Sequence, residues 1–160
     1  MGRVFKYGDD VNTDVLFPGK YTYRVSEPAE MAKHALEDLD PEFIKKVRKG
    51  DIIVAGKNFG CGSSREQAVL ALKYAGVSAI IAVSFARIYY RNCINSGLPA
   101  IVHAEAVDAL QSGDECTVSV DEGVMRTHRG EFTFPPFPPE VRAILEAGGL
   151  IPYLKAKLAS

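Results

Sequence analysis

Three apolar runs mark the middle of the chain: Asp51-Ile52-Ile53-Val54-Ala55, Ser78-Ala79-Ile80-Ile81-Ala82-Val83 and Ala100-Ile101-Val102. Their cores are continuous rather than alternating, which predicts parallel strands buried on both faces. Helix-like stretches lie between them, over 65–75 and 85–95, the second stopped by Gly97 and Pro99. Residues 3–7 read as another short strand. Pro28 opens a helix to 36 with Ser26 as candidate cap, and Asp40-Pro41-Glu42 opens a shorter one ending near Gly50. Beyond Gly113 the pattern changes. Runs over 115–120, 124–128 and 131–134, separated by Asp121-Glu122-Gly123 and Arg129-Gly130, predict an antiparallel meander. A stiff Pro135-Pro136-Phe137-Pro138-Pro139 connector follows, then closing helices over 140–147 and 152–158. The fold class is α/β: a mixed, mainly parallel sheet with flanking helices and a C-terminal antiparallel meander. No repeat or domain-scale linker interrupts it, so 1–160 reads as one domain.

Composition narrows the function classes. The 160 residues are 47% hydrophobic and 24% charged, ordinary for a folded domain. A formal net charge of −1 argues against nucleic acid as a partner. No apolar run approaches the roughly 20 residues that cross a bilayer. The three cysteines, Cys61, Cys93 and Cys116, are scattered, without a Cys-x-x-Cys pair. That fits a reducing cytoplasm and shows no zinc or iron–sulfur ligand spacing.

The chemistry concentrates in Gly56-Lys57-Asn58-Phe59-Gly60-Cys61-Gly62-Ser63-Ser64-Arg65-Glu66, where a predicted strand hands over to a predicted helix. A helix start offers free N–H groups and a positive dipole end, glycine permits close approach, and arginine adds a planar fork for carboxylate or phosphate. The segment reads as an anion site with two hydroxyls at its lip. It also reads as a capping box, Ser63 to Glu66, and the two roles are compatible. It lacks the lysine of a P-loop, has Arg65 where a dinucleotide fingerprint places its third glycine, and gives neither serine the paired glycines of a nucleophile elbow.

This segment resembles the signature of the aconitase superfamily swivel domain, in particular the small-subunit family of 3-isopropylmalate dehydratases and homoaconitases. Gly8-Asp9-Asp10-Val11-Asn12-Thr13-Asp14 is similar to the family's opening. Ser84-Phe85-Ala86-Arg87-Ile88-Tyr89-Tyr90-Arg91-Asn92 through Asn95-Ser96-Gly97-Leu98-Pro99 is similar to a second block, and Leu145-Glu146-Ala147-Gly148-Gly149-Leu150 to the tail. The resemblance implies a swivelling β/β/α domain that docks on a separate large subunit carrying a 4Fe–4S cluster on its own cysteines. It implies a hydro-lyase acting on a small hydroxy di- or tricarboxylic acid.

By the same resemblance Ser63 is the base, acting as an alkoxide. Gly62, Ser64 and Arg65 bind substrate, with Arg65 gripping a carboxylate in bidentate fashion. Asp14 lies at the active site, and its expected role is to orient Arg65 or a neighbour. Tyr21-Thr22-Tyr23-Arg24 occupies the substrate-specificity loop. Tyr21 and Tyr23 could form an apolar wall for an isopropyl branch, whereas Arg24 would suit the extra carboxylate of a homocitrate-type acid. Gln67 stands where many relatives have His. Cys61 reads as a packed residue, and His34, His103 and His128 as surface or core residues. The rival from another class is a non-catalytic, regulatory anion-binding module.

Overall fold

Neighbouring residues along the central strands feed two different cores. In the computed structural model, which describes residues 2–63 and 65–159, Ile53, Ala55, Ile80, Ala82 and Ala100 join Phe17, Leu36, Phe43, Leu72 and Tyr89 on one face. Val4, Ile52, Val54, Ile81 and Ile101 join Leu110, Met125, Phe132 and Phe134 on the other. A strand with both faces covered has no polar side to alternate, which explains the continuous apolar runs. Each fully buried Ile or Leu contributes on the order of 1.5–3 kcal/mol.

The strands are β1 (Gly2–Lys6), β2 (Ile52–Ala55), β3 (Ala79–Ala82), β4 (Ala100–Val102), β5 (Glu115–Ser119), β6 (Val124–Thr127) and β7 (Gly130–Thr133). They form a seven-stranded sheet in the order β4-β3-β2-β1-β5-β6-β7. The first four run parallel, with Val4 opposite Ile52, Ile52 opposite Ala79 and Ile80 opposite Ala100. The last three form the expected meander, which joins β1 antiparallel through Gly2 opposite Cys116. β1 is thus the seam between a parallel and an antiparallel half.

The helices are α1 (Thr13–Leu16), α2 (Pro28–Lys33), α3 (Phe43–Lys46), α4 (Gln67–Ala75), α5 (Arg87–Asn95), α6 (Ala104–Ala109), α7 (Pro139–Ala147) and α8 (Leu150–Ala159). Several boundaries differ from the sequence reading. α2 ends at Lys33 and follows Glu27, without a side-chain cap, so Ser26 is not its cap. α4 begins at Gln67 with Glu66 at the cap position and no capping side chain, so Ser63 lies upstream of the cap position. α8 starts at Leu150 and carries Pro152 in its first turn, where no backbone N–H is missed. α1 and α6 were not foreseen. Asn12 caps α1, its side chain accepting from Val15 N at 2.9 Å, and His103 caps α6 through Nδ1, accepting from Ala106 N at 3.0 Å.

β1 and β2 are parallel neighbours, so the loops leaving their carboxyl ends emerge side by side. In open α/β sheets this is where ligands bind. Here it brings residues 7–14 against residues 56–63.

Candidate active site

Backbone bonds zip the two loops together. Gly56 N donates to Gly8 O at 3.0 Å, Asp10 N to Lys57 O at 2.8 Å, Gly60 N to Val11 O at 2.7 Å and Thr13 N to Cys61 O at 2.8 Å. Side chains finish the seam. Lys57 N donates to Asp9 Oδ1 at 2.7 Å, and Asn58 Nδ2 to Asp10 Oδ1 at 3.2 Å. Asn58 is held at φ 59°, a left-handed conformation that asparagine tolerates. Asn58 and Gly60 therefore shape the loop and do not line the site. Gly60, at φ 84°, packs its bare Cα against the Tyr89 ring, where a Cβ would collide.

Arg65 is the hub. Its Nε donates to Ser63 Oγ at 3.0 Å, Nη1 to Phe17 O and to Thr22 Oγ1 at 3.1 Å each, and Nη2 to Asp14 Oδ1 at 3.2 Å. A guanidinium has five N–H donors, and these four bonds leave one, on Nη2, for an outside acceptor among the described residues. Its side chain is only 17% exposed while that of Asp14 is 74% exposed. The ion pair is thus largely solvent-screened, on the order of 0–1 kcal/mol, and its main effect is aim. Asp14 Oδ1 also accepts from Gly19 N at 2.8 Å.

Ser63 Oγ lies 3.0 Å from the Arg65 Nε donor and 3.3 Å from Thr13 Oγ1. Thr13 is almost wholly buried, and the sequence reading did not single it out. Its only signal was its place between Asn12 and Asp14. A permanently charged donor and a second hydroxyl facing one oxygen favour negative charge on that oxygen.

These groups line an open depression of ≈ 570 Å³, with Gly62, Ser63 and Arg65 on one side, Thr13 and Asp14 on another, and Gly19, Thr22 and Tyr23 on a third. Asn12 and Cys61 complete it. Of the expected site residues, Asp14, Gly62, Ser63, Arg65 and Tyr23 come together there. Ser64 lies outside the described residues. Tyr21 turns the other way: its ring stacks on His34 at 3.8 Å and its hydroxyl donates to Glu37 Oε2 at 2.9 Å. That bond to Glu37, with partial burial, raises the phenol's pKa. Arg24 is exposed and does not line the depression. Of the 21–24 segment, Thr22 and Tyr23 line the depression.

A larger hollow of ≈ 740 Å³, edged by Arg3, Asp40, Lys45 and Arg48, lies apart from these groups. Among the described residues no three His, Cys, Asp or Glu side chains converge as metal ligands. Cys93 and Cys116 sit in opposite cores, and burial raises the pKa of both thiols. The residues present do not fit a 4Fe–4S cluster as its holders. No helix among the described residues is long and apolar enough to cross a membrane.

The chain resembles known proteins along nearly its whole length. The model of the family described as "Aconitase C-terminal domain" matches residues 13–106. A 3-isopropylmalate dehydratase small subunit from Caldicellulosiruptor saccharolyticus is 54% identical over 159 residues, covering 98% of this chain and 91% of the relative. Its counterpart from Aquifex aeolicus is 53% identical, covering 99% and 96%. A crystal structure of 3-isopropylmalate dehydratase from Methanocaldococcus jannaschii superposes with a TM-score of 0.91 at 46% identity, covering 99% of this chain and 94% of that one.

Proposed function

The chain belongs to the aconitase C-terminal domain family, and from that premise we propose that it is the small subunit of a 3-isopropylmalate dehydratase, a hydro-lyase half that works with a large subunit. The seven strands share one sheet, which supports taking the 160 residues as a single swivel domain. The assigned reaction interconverts 2-isopropylmalate and 3-isopropylmalate by losing water and regaining it at the neighbouring carbon, a step of leucine biosynthesis that suits a cytoplasmic enzyme. The large subunit's 4Fe–4S cluster would supply Lewis acidity for the departing hydroxyl.

The observation that carries this reading is the environment of Ser63 Oγ, faced by Arg65 Nε and the Thr13 hydroxyl. As an alkoxide it takes the proton from the carbon alpha to a substrate carboxylate. Negative charge then spreads onto that carboxylate. The remaining Nη2 N–H of Arg65 receives it, and Ser64 is the further donor the reading assigns. With Arg65 already serving Ser63, Phe17, Thr22 and Asp14, the carboxylate is held end-on, and a bidentate grip requires Asp14 to let go. Asp14 is a positioning residue: it aims the guanidinium and tethers Gly19.

The depression also supports the branched apolar acid over a homocitrate-type acid. Among the described residues Arg65 is the cation in its lining, and Asp14 partly offsets it. A further carboxylate would need a second cation, and Arg24 lies outside the lining. The test is reconstitution with a 3-isopropylmalate dehydratase large subunit, following the double bond formed on dehydration by ultraviolet absorbance. Ser63→Ala is expected to lower kcat by roughly 10²–10⁴-fold with KM little changed. Normal turnover by Ser63→Ala would remove Ser63 as the base.

A further inference from the structure

Gln67 is the first residue of α4, yet its side chain serves a different segment. Nε2 donates to Thr22 O at 2.8 Å and, at longer range, to Val25 O at 3.4 Å. One amide nitrogen has two hydrogens, so both carbonyls can be met at once. They bracket Tyr23, which is fully exposed at the edge of the depression. Arg65 Nη1 holds Thr22 a second time through its hydroxyl, and Asp14 holds Gly19. On the far side, the stacking of Tyr21 on His34 and its bond to Glu37 fix the root of the loop. Val25 packs partly against the core, but Thr22 is only half-buried and Tyr23 is exposed, so their positions depend on these tethers as well as on Val25.

We propose that Gln67 is a specificity-positioning residue: it touches no substrate, but its clamp on the carbonyls of Thr22 and Val25 sets the distance between the Thr22–Tyr23 wall and the Ser63–Arg65 pair. The proposal rests on the dehydratase reading above. A wall at fixed distance accepts one size of branch at the substrate carbon. A loose wall accepts several, at the expense of contact with the right one. Discrimination by one or two methylenes in such a pocket is worth about 10–200-fold, and part of it depends on the wall being held.

The informative variant is Gln67→Glu, which keeps the shape but replaces the donor with a carboxylate facing two carbonyls. Met125→Ala, in the core on the other face of the sheet, serves as a control that lowers stability without touching the loop. Each is paired with the large subunit, and kcat/KM is measured for 3-isopropylmalate and for 3-methylmalate. Gln67→Glu is expected to reduce the ratio of the two about 5–10-fold, through KM for the larger acid, with kcat within about threefold. Met125→Ala reduces the amount of active enzyme and leaves the ratio unchanged, because the inactive fraction cancels.

A second measurement needs no partner. In the isolated chain, the amides of Arg24 and Val25, both bonded to Tyr21 O, should exchange with deuterium faster in Gln67→Glu, while those of β2 do not. An unchanged ratio overturns the proposal even if exchange speeds up, and unchanged exchange overturns it outright. A wild-type pair inactive on both acids would instead defeat the dehydratase reading, and exchange alone would then decide whether Gln67 positions the loop.

Discussion

Arg65 is built into the protein more deeply than a simple anion hook. Four of its bonds run to Ser63, Phe17, Thr22 and Asp14, four points on three segments. A lysine carries one ammonium and no planar fork, so it cannot reach all of them. If Ser63 is the base proposed above, Arg65→Lys should damage both that base and the loop. In the reconstituted pair we expect kcat/KM to fall by about 10²–10³-fold, with kcat and KM both affected. A change in KM alone would mean that Arg65 binds substrate but does nothing for Ser63. The residue types at this site were legible in the sequence: Ser63, Arg65, Gly62 and Asp14 do converge on one depression. The direction of Tyr21 was not. It is decided by His34 and Glu37, which lie more than ten residues away and carry no local signal of that pairing. The same holds for Thr13, which reads as a loop hydroxyl until the neighbouring strand brings Ser63 to it.

At the scale of elements, the turn between β2 and α4 is fixed by what its glycines leave out. Gly60 combines a left-handed φ with direct contact between its Cα and the Tyr89 ring, and the Tyr89 hydroxyl in turn donates to Ala68 O at 3.0 Å inside α4. Gly60→Ala would add backbone strain and push this ring, at a combined cost of about 2–3 kcal/mol. For a chain of this size that corresponds to a melting temperature lower by roughly 5–10 °C. A melt within about 1 °C of wild type would show that the turn relaxes freely. The strands of the parallel half could be read directly, because Ile52–Ala55 and Ala79–Ala82 are covered on both faces and are apolar throughout. α6 escaped because Ala104–Ala109 is short and its cap is a histidine, a rare capping residue. The displaced start of α4 has a tertiary cause. Ser63 and Arg65 are engaged with Thr13 and with the 17–22 segment, so the helix begins after them.

For the whole molecule, the two cores hide groups that ionise freely only when the chain opens. Burial pushes the Cys116 thiol up from its ordinary 9.0 to about 11 and moves Cys93 further in the same direction. Burial likewise raises Tyr89, and burial together with Asp40 raises Tyr7. An unfolded chain therefore binds fewer protons than the folded one above about pH 9. The stabilisation is intact below that value and declines as pH rises toward about 11. The urea midpoint at pH 10 should lie below that at pH 7.5, and equal midpoints would show that these groups ionise alike in both states. The same burial should spare Cys93 and Cys116 from thiol reagents while half-exposed Cys61 reacts.

The central place of β1 has a further consequence, for how the protein is made. Of these seven strands a ribosome delivers β1 earliest, but its parallel neighbour emerges only with Ile52 and its antiparallel neighbour only with Glu115. Through most of synthesis one flank of that strand presents unpaired backbone to solvent, an invitation to stray pairing with other nascent chains. The strand that unites the finished sheet is the one the growing polypeptide must shield longest, and chaperone demand should peak before residue 115 leaves the exit tunnel.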